Sequence, residues 1–186
     1  MKRLRKEFTD MLSEVYTPEE MQVLEKGFMC EKRNTTFRIN TVLSDEKTVL
    51  DEFEKKWIIV NKLDFLDNCY EITKTEEWLL WKTKALKKGF IYVQGIGSQI
   101  PVHCFDLNEW DKILDVTASP GSKTSQLATM LWNKCEIVAN DNNIIRIEKL
   151  NYTLQKQGCF ESVAISNCDA RNLQLPAESF DKILFD

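Results

Sequence analysis

The segment DVTASPGSKTSQLA (115–128) collects the residue types of an anion-cradling turn: small side chains, Gly121, Lys123 and Thr124, all leading into a helical pattern. At such a turn, backbone N–H groups at a helix start can approach a ligand closely. It is not a triphosphate loop of the G-x-x-x-x-G-K-[ST] kind, because Ser122 precedes Lys123 and Val116 stands five positions before Gly121. The dinucleotide fingerprint G-x-G-x-x-G fails too, since the stretch holds one glycine. Acids at the ends of the neighbouring apolar runs indicate the ligand. Asp141 closes one such run, where a carboxylate can accept both hydroxyls of a ribose. Asp169 follows the next, placed to accept from an exocyclic amine of adenine, and Asp186 follows a third. Three acids on one rim would repel a triphosphate and suit a nucleoside ending in a sulfonium and an amino acid. Each alone reads equally as a cap or a turn residue.

These residues need a scaffold that brings strand ends together. KILDV (112–116), CEIVAND (135–141), SVAIS (162–166) and KILFD (182–186) read as buried strands. Between them lie a helix from Ser125 to Trp132 and one carried by Ile144, Ile147, Leu150 and Leu154, which Gly158 closes. Strand, loop, helix, strand, helix, strand, crossover, strand is the order of a parallel α/β sheet, whose ligands sit beyond the carboxyl ends of the strands.

Upstream the texture differs. Phe8, Met11, Leu12 and Val15 predict one amphipathic helix, and Thr17-Pro18-Glu19-Glu20 starts a second that buries Met21, Leu24 and Phe28. TTFRINTVL (35–43) reads as a strand, Ser44 as the cap of a helix facing Val49, Leu50, Phe53 and Trp57 inward, and WIIV and CYEI as two short strands. The division expected is a helical lead (1–34), a small α+β domain (35–75), a connector (76–88) and the parallel α/β domain (89–186).

With 43% hydrophobic and 29% charged residues, the composition is that of a globular chain. No apolar run reaches the roughly 18 residues of a membrane helix, so no membrane partner is expected. Six cysteines (30, 69, 104, 135, 159, 168) form no C-x-x-C pair, so reduced thiols in a cytoplasmic protein are expected over a disulfide framework. His103 is the single histidine, so no metal site is expected. Net charge is −4, yet basic clusters stand at 2–6, 32–38 and 82–88. Three in one half of an acidic chain favour a polyanion surface over ordinary solvated faces.

KILDVTASPGSKTSQLA, IVANDNNIIRIEKLNYTLQKQG, CDARNL and FDKILFD, taken together, resemble the Sun/RsmB-type RNA (cytosine-5) methyltransferases. FRIN and GFIYVQGIGSQIP, upstream, resemble that family's R-x-N strand and its G-x-x-x-x-Q-x-x-S segment, so the likeness covers about residues 35–186. The resemblance implies a Rossmann-like fold that binds S-adenosylmethionine, preceded by a small RNA-contacting α+β domain with a helical lead. It implies rRNA or tRNA as partner, with no DNA. Thr117, Ala118, Ser119, Pro120, Gly121, Ser122 and Lys123 would then form the loop under the methionine and ribose. Asp141 would hold the ribose, Asp169 the adenine edge, and Asp186 would be the acid of the family's D-A-P-C motif. Arg146 and Asn151 match a helix motif with a supporting role. Ser122 stands where the family carries a second glycine, which adds a side chain beside the ligand.

None of the six cysteines matches the family's catalytic thiol or the Cys of D-A-P-C, so no catalytic residue is assigned in this chain. The 186-residue chain, ending at Asp186, is expected to be an inactive part of the enzyme whose last strand exposes Ile183, Leu184 and Phe185 at a sheet edge. Two other readings stay open. One is a methyltransferase of similar core acting on a protein or small molecule. The other is an RNA-binding or assembly module that keeps the fold without the chemistry.

Overall fold

The computed structural model describes residues 4–30 and 33–186. The first of two compact units, residues 1–34, holds α1 (Lys6–Ser13) and α2 (Pro18–Phe28). Thr17 and Glu20 close a reciprocal capping box at the start of α2, as the spacing predicts. Phe8 meets Phe28 edge-on at 5.4 Å. Contrary to the expectation of a buried face, no residue of either helix is buried. The cluster at 2–6 lies partly outside the described residues.

The second unit, residues 35–186, carries two four-stranded sheets. The first is antiparallel, in the order β2-β3-β1-β4, built from β1 (Thr36–Ile39), β2 (Val60–Lys62), β3 (Cys69–Ile72) and β4 (Ile91–Val93). Helix α3 (Glu46–Lys55), a 3-10 helix (Glu77–Lys82) and the short α4 (Lys84–Lys87) accompany it. Phe37, Val49, Phe53, Leu80, Ala85 and Ile91 form its core. The stretch expected as a connector therefore supplies core residues. Strand β4, expected in the α/β domain, pairs with β1 through Phe37–Val93, Arg38–Tyr92 and Ile39–Ile91. Three residues carry no periodicity to show which sheet they join; packing decides. Asp45, not Ser44, caps α3, and Trp57 is left 87% exposed by its positive φ of 58° just past the helix end.

The second sheet is parallel, in the order β7-β6-β5-β8, from β5 (Lys112–Asp115), β6 (Glu136–Asn140), β7 (Val163–Ser166) and β8 (Lys182–Leu184). Helix α5 (Ile96–His103) precedes it, α6 (Ser122–Met130) joins β5 to β6, and α7 (Ile144–Lys156) leads from β6 towards β7. Ile113, Leu127, Ile137, Leu150 and Leu154 pack between sheet and helices. This is the Rossmann-like α/β order that the sequence implies. Ile183 in β8 and Phe185 just past it are exposed but Leu184 is buried at 5%, because alternate residues along an extended chain face opposite sides and Leu184 faces the core.

A polar junction joins the two sheets. Asn40 donates to the Gln157 carbonyl at 2.8 Å, and the Gln157 amide donates to the Gly89 carbonyl at 3.2 Å. A Cβ on Gly89 would stand 2.0 Å from the Lys156 carbonyl oxygen, so only glycine lets these backbones meet. The guanidinium of Arg38, 4% exposed, bonds Gln94 Oε1 at 3.0 Å, Ser125 Oγ at 2.8 Å and Thr129 Oγ1 at 3.3 Å. Of the basic cluster at 32–38, Arg38 thus serves the interior and is not available to a polyanion.

Candidate functional site

The carboxyl ends of β5, β6, β7 and β8 converge on the loop between β5 and α6, because parallel strands put all their ends on one rim. The loop turns at Gly121, whose φ of +95° favours glycine and whose Cβ would meet Leu150 Cδ1 at 2.9 Å. Gly121 is also the N-cap residue of α6 and offers no side chain to cap the first N–H groups of that helix. Thr117 to Lys123 thus form one tight turn, with Ala118 and Ser119 buried and Pro120 exposed.

Two of the three rim acids touch this turn. Asp141 Oδ2 accepts from the Ser119 N–H at 3.3 Å and lies 3.3 Å from Arg146 Nη2, while Oδ1 accepts from the Asn143 N–H at 3.1 Å. Arg146 also donates to the Ser119 carbonyl at 2.7 Å, so the helix motif supports the loop directly. Asp186 pairs with Lys123 Nζ at 2.6 Å, and its carbonyl accepts from Thr117 Oγ1 at 2.7 Å. Asp169 stands apart from the turn: both its oxygens are taken by Arg171, with Nη2 to Oδ2 at 2.6 Å. That side-chain hydrogen bond comes first among the causes that bring its pKa down to about 2. Each acid therefore already faces a cation. The rim is less repulsive to anions than three bare carboxylates, which corrects the charge expectation drawn from sequence.

Asp115 and Asn140 escaped the sequence reading. Asp115 ends β5 at 2% exposure and accepts from Thr124 Oγ1 at 2.7 Å; burial raises its pKa to about 6. It stands at a strand end like the other three, and that position was the signal for it. Asn140 Nδ2 donates to the Val116 carbonyl at 3.1 Å and the Cys168 carbonyl at 3.0 Å, tying the ends of β5 and β7 together. An amide at a strand end carries no such signal, because its role lies in what the fold brings to it.

No disulfide joins the described cysteines. Burial pushes the Cys135 thiol to about 11 and the Cys159 thiol to about 12, far from thiolate chemistry. Cys168 is half-buried, with its N–H donating to Asn140 Oδ1 at 3.2 Å. A separate cavity of about 190 Å³ lies towards the other end of α6, lined by Arg38, Asn68, His103, Gln126 and Trp132.

Residues 102–186 match the family model of the 16S rRNA methyltransferases RsmB/F. Ribosomal RNA small subunit methyltransferase F of Vibrio parahaemolyticus is 31% identical over 156 residues, 81% of this chain and 32% of that protein. The tRNA (cytosine(72)-C(5))-methyltransferase of Pyrococcus horikoshii is 36% identical over 107 residues, 58% of this chain and 27% of the relative. The chain thus spans about a third of the length of these curated relatives. The crystal structure of NSun6 from Pyrococcus horikoshii with SFG superposes at a TM-score of 0.81 and 19% identity, over 98% of this chain and 70% of that one.

Proposed function

We propose, from the match of residues 102–186 to the RsmB/F methyltransferase family model, that the chain is part of a cytoplasmic enzyme that uses S-adenosylmethionine to methylate carbon 5 of cytosine in rRNA or tRNA. The observation that carries the reading is the rim itself: an uncapped helix start at Gly121–Lys123 with Asp141 bonded to the same turn. Names of relatives that include rRNA and tRNA favour this substrate over a protein or small molecule.

The residues fit the cofactor. An ionised carboxylate has about four lone-pair positions; on Asp141 the N–H groups of Ser119 and Asn143 take two of them, and Arg146 lies beside it as an ion pair at 3.3 Å. Acceptor capacity is left for a ribose hydroxyl. Arg171 is 88% exposed, so its guanidinium can turn to water and free Asp169 for the adenine amine. The N–H groups that open α6 suit the carboxylate of the methionine end. When bound, the cofactor supplies an electrophilic methyl group. This chain's residues would bind and orient it: Thr117 to Lys123 as the cradle, Asp141 at the ribose, Asp169 at the adenine, and Asp186 holding Lys123 in place. Among the described residues no helix is long and apolar enough to cross a membrane.

The test is titration calorimetry with S-adenosylhomocysteine. Binding is expected, and Asp141→Ala should weaken it by about 1.5–3 kcal/mol, the value of a hydrogen bond to a charged group. Unchanged affinity in that variant would remove Asp141 from the site, and tighter binding of ATP would overturn the reading.

A further inference from the structure

We propose that the 3-10 helix Glu77–Lys82 and the adjoining α4 form a stacking platform for unpaired RNA bases. The inference rests on the reading of RNA as substrate and locates where an unpaired segment docks. In a 3-10 helix, positions three apart eclipse one another. Trp78 and Trp81 are such a pair, and they stand 52% and 64% exposed in one row. Leu80, on the opposite side, is buried at 1%. The two largest apolar side chains of the segment therefore face water while the smaller Leu79 and Leu80 pack on the core, an arrangement that folding alone does not require.

Charge adds the second observation. Lys82, Lys84, Lys87 and Lys88 are all exposed, four lysines within seven residues of an acidic chain. Lys82 Nζ lies 4.4 Å from the centre of the Trp78 ring, so cation and aromatic plane form one surface. Flat rings beside ammonium groups match a polyanion with unstacked bases: rings take the base faces, lysines the phosphates. A membrane surface fits less well, because Leu80 turns inward and the exposed apolar part of the helix is confined to one row.

The platform is also held rigidly. Lys56 donates to the Lys82 carbonyl at 2.9 Å, Thr35 donates to Glu77 at 2.8 Å, and Glu52 accepts from the N–H groups of Lys84 and Ala85 at 2.7 and 2.9 Å. Little conformational freedom is left to lose on binding.

The experiment measures fluorescence anisotropy of a short fluorescein-labelled oligocytidylate with the full chain. Trp78→Ala and Trp81→Ala should each weaken binding roughly 5- to 150-fold, the range for loss of one aromatic stack. Trp78→Phe and Trp81→Phe should keep most of the affinity. Trp110→Ala, at a residue 68% exposed just before β5, should change nothing. Lys84→Ala with Lys87→Ala should flatten the dependence of log affinity on log salt by about 0.7 for each phosphate no longer neutralised. Wild-type affinity in the Trp78→Ala/Trp81→Ala double variant would overturn the proposal, as would no binding by the unaltered chain. Binding to phosphatidylserine vesicles with none to the oligonucleotide would overturn it in favour of a membrane. Titration of the same protein with S-adenosylhomocysteine keeps the two readings apart. Tryptophan-dependent RNA binding without it supports the platform and sinks the cofactor site; the reverse result spares the cofactor site alone.

Discussion

Replacing Asp115 with asparagine should stabilise the protein, and by an amount that depends on pH. Asp115 is 2% exposed, and its carboxyl is moved from 3.8 to about 6, first by burial, with Thr124, Thr117 and Lys123 opposing the shift. A move of roughly two units at 1.36 kcal/mol each means that ionising this group costs the folded state about 3 kcal/mol relative to the unfolded chain. The sign follows from proton counting. Between about pH 4 and 6 the folded state binds more protons than the unfolded one, so this group's contribution to stability falls as pH rises through that window. Asparagine keeps an oxygen that can accept from Thr124 and removes the charge. Thermal unfolding by circular dichroism should then show Asp115→Asn melting roughly 6–12 °C above wild type at pH 8, at about 2–4 °C per kcal/mol for a chain of this size. At pH 3.5, where the folded-state carboxyl is already neutral, the two should melt together. An equal shift at both pH values, or a less stable variant at pH 8, would refute the burial argument.

Two further variants probe the scaffold around the rim. Gly121→Ala should cost about 1–3 kcal/mol in urea unfolding, because alanine is strained at φ +95° and its Cβ meets Leu150; a neutral result would show that the turn relaxes freely. Arg38→Met should cost about 2–4 kcal/mol by leaving the acceptors of Gln94, Ser125 and Thr129 without their donor. Arg38→Lys should recover little, since one ammonium cannot reproduce a planar fork; full recovery would mean that charge alone matters there.

What could be read from sequence follows what local pattern encodes. The apolar runs KILDV (112–116), CEIVAND (135–141) and SVAIS (162–166) were readable as strands, each to within a residue or so of its observed end, because strands of a parallel sheet are largely apolar. The turn at Gly121 was readable because few residue types tolerate it. The pairing of β4 with β1 was not, since three residues leave their partner to tertiary packing. Neither was the role of Arg38: a guanidinium within a run of charges reads as surface, and only the meeting of β1 with α6 supplies the neutral acceptors that bury it. Trp57, in phase with the buried face of α3, is turned outward by the backbone at the helix end. At the rim, positions were legible and pairings were not, because Arg146, Arg171 and Lys123 reach their acids only through folded geometry or flexible side chains.

The central claim is that the loop at Thr117–Lys123 and the neighbouring strand ends hold the cofactor. Amide chemical shifts of the labelled protein, followed during titration with S-adenosylhomocysteine, test it most directly. Changes should concentrate at Thr117–Lys123, Asn140–Asn143 and Cys168–Arg171. Changes confined instead to Arg38, His103, Gln126 and Trp132, around the cavity towards the other end of α6, would contradict it.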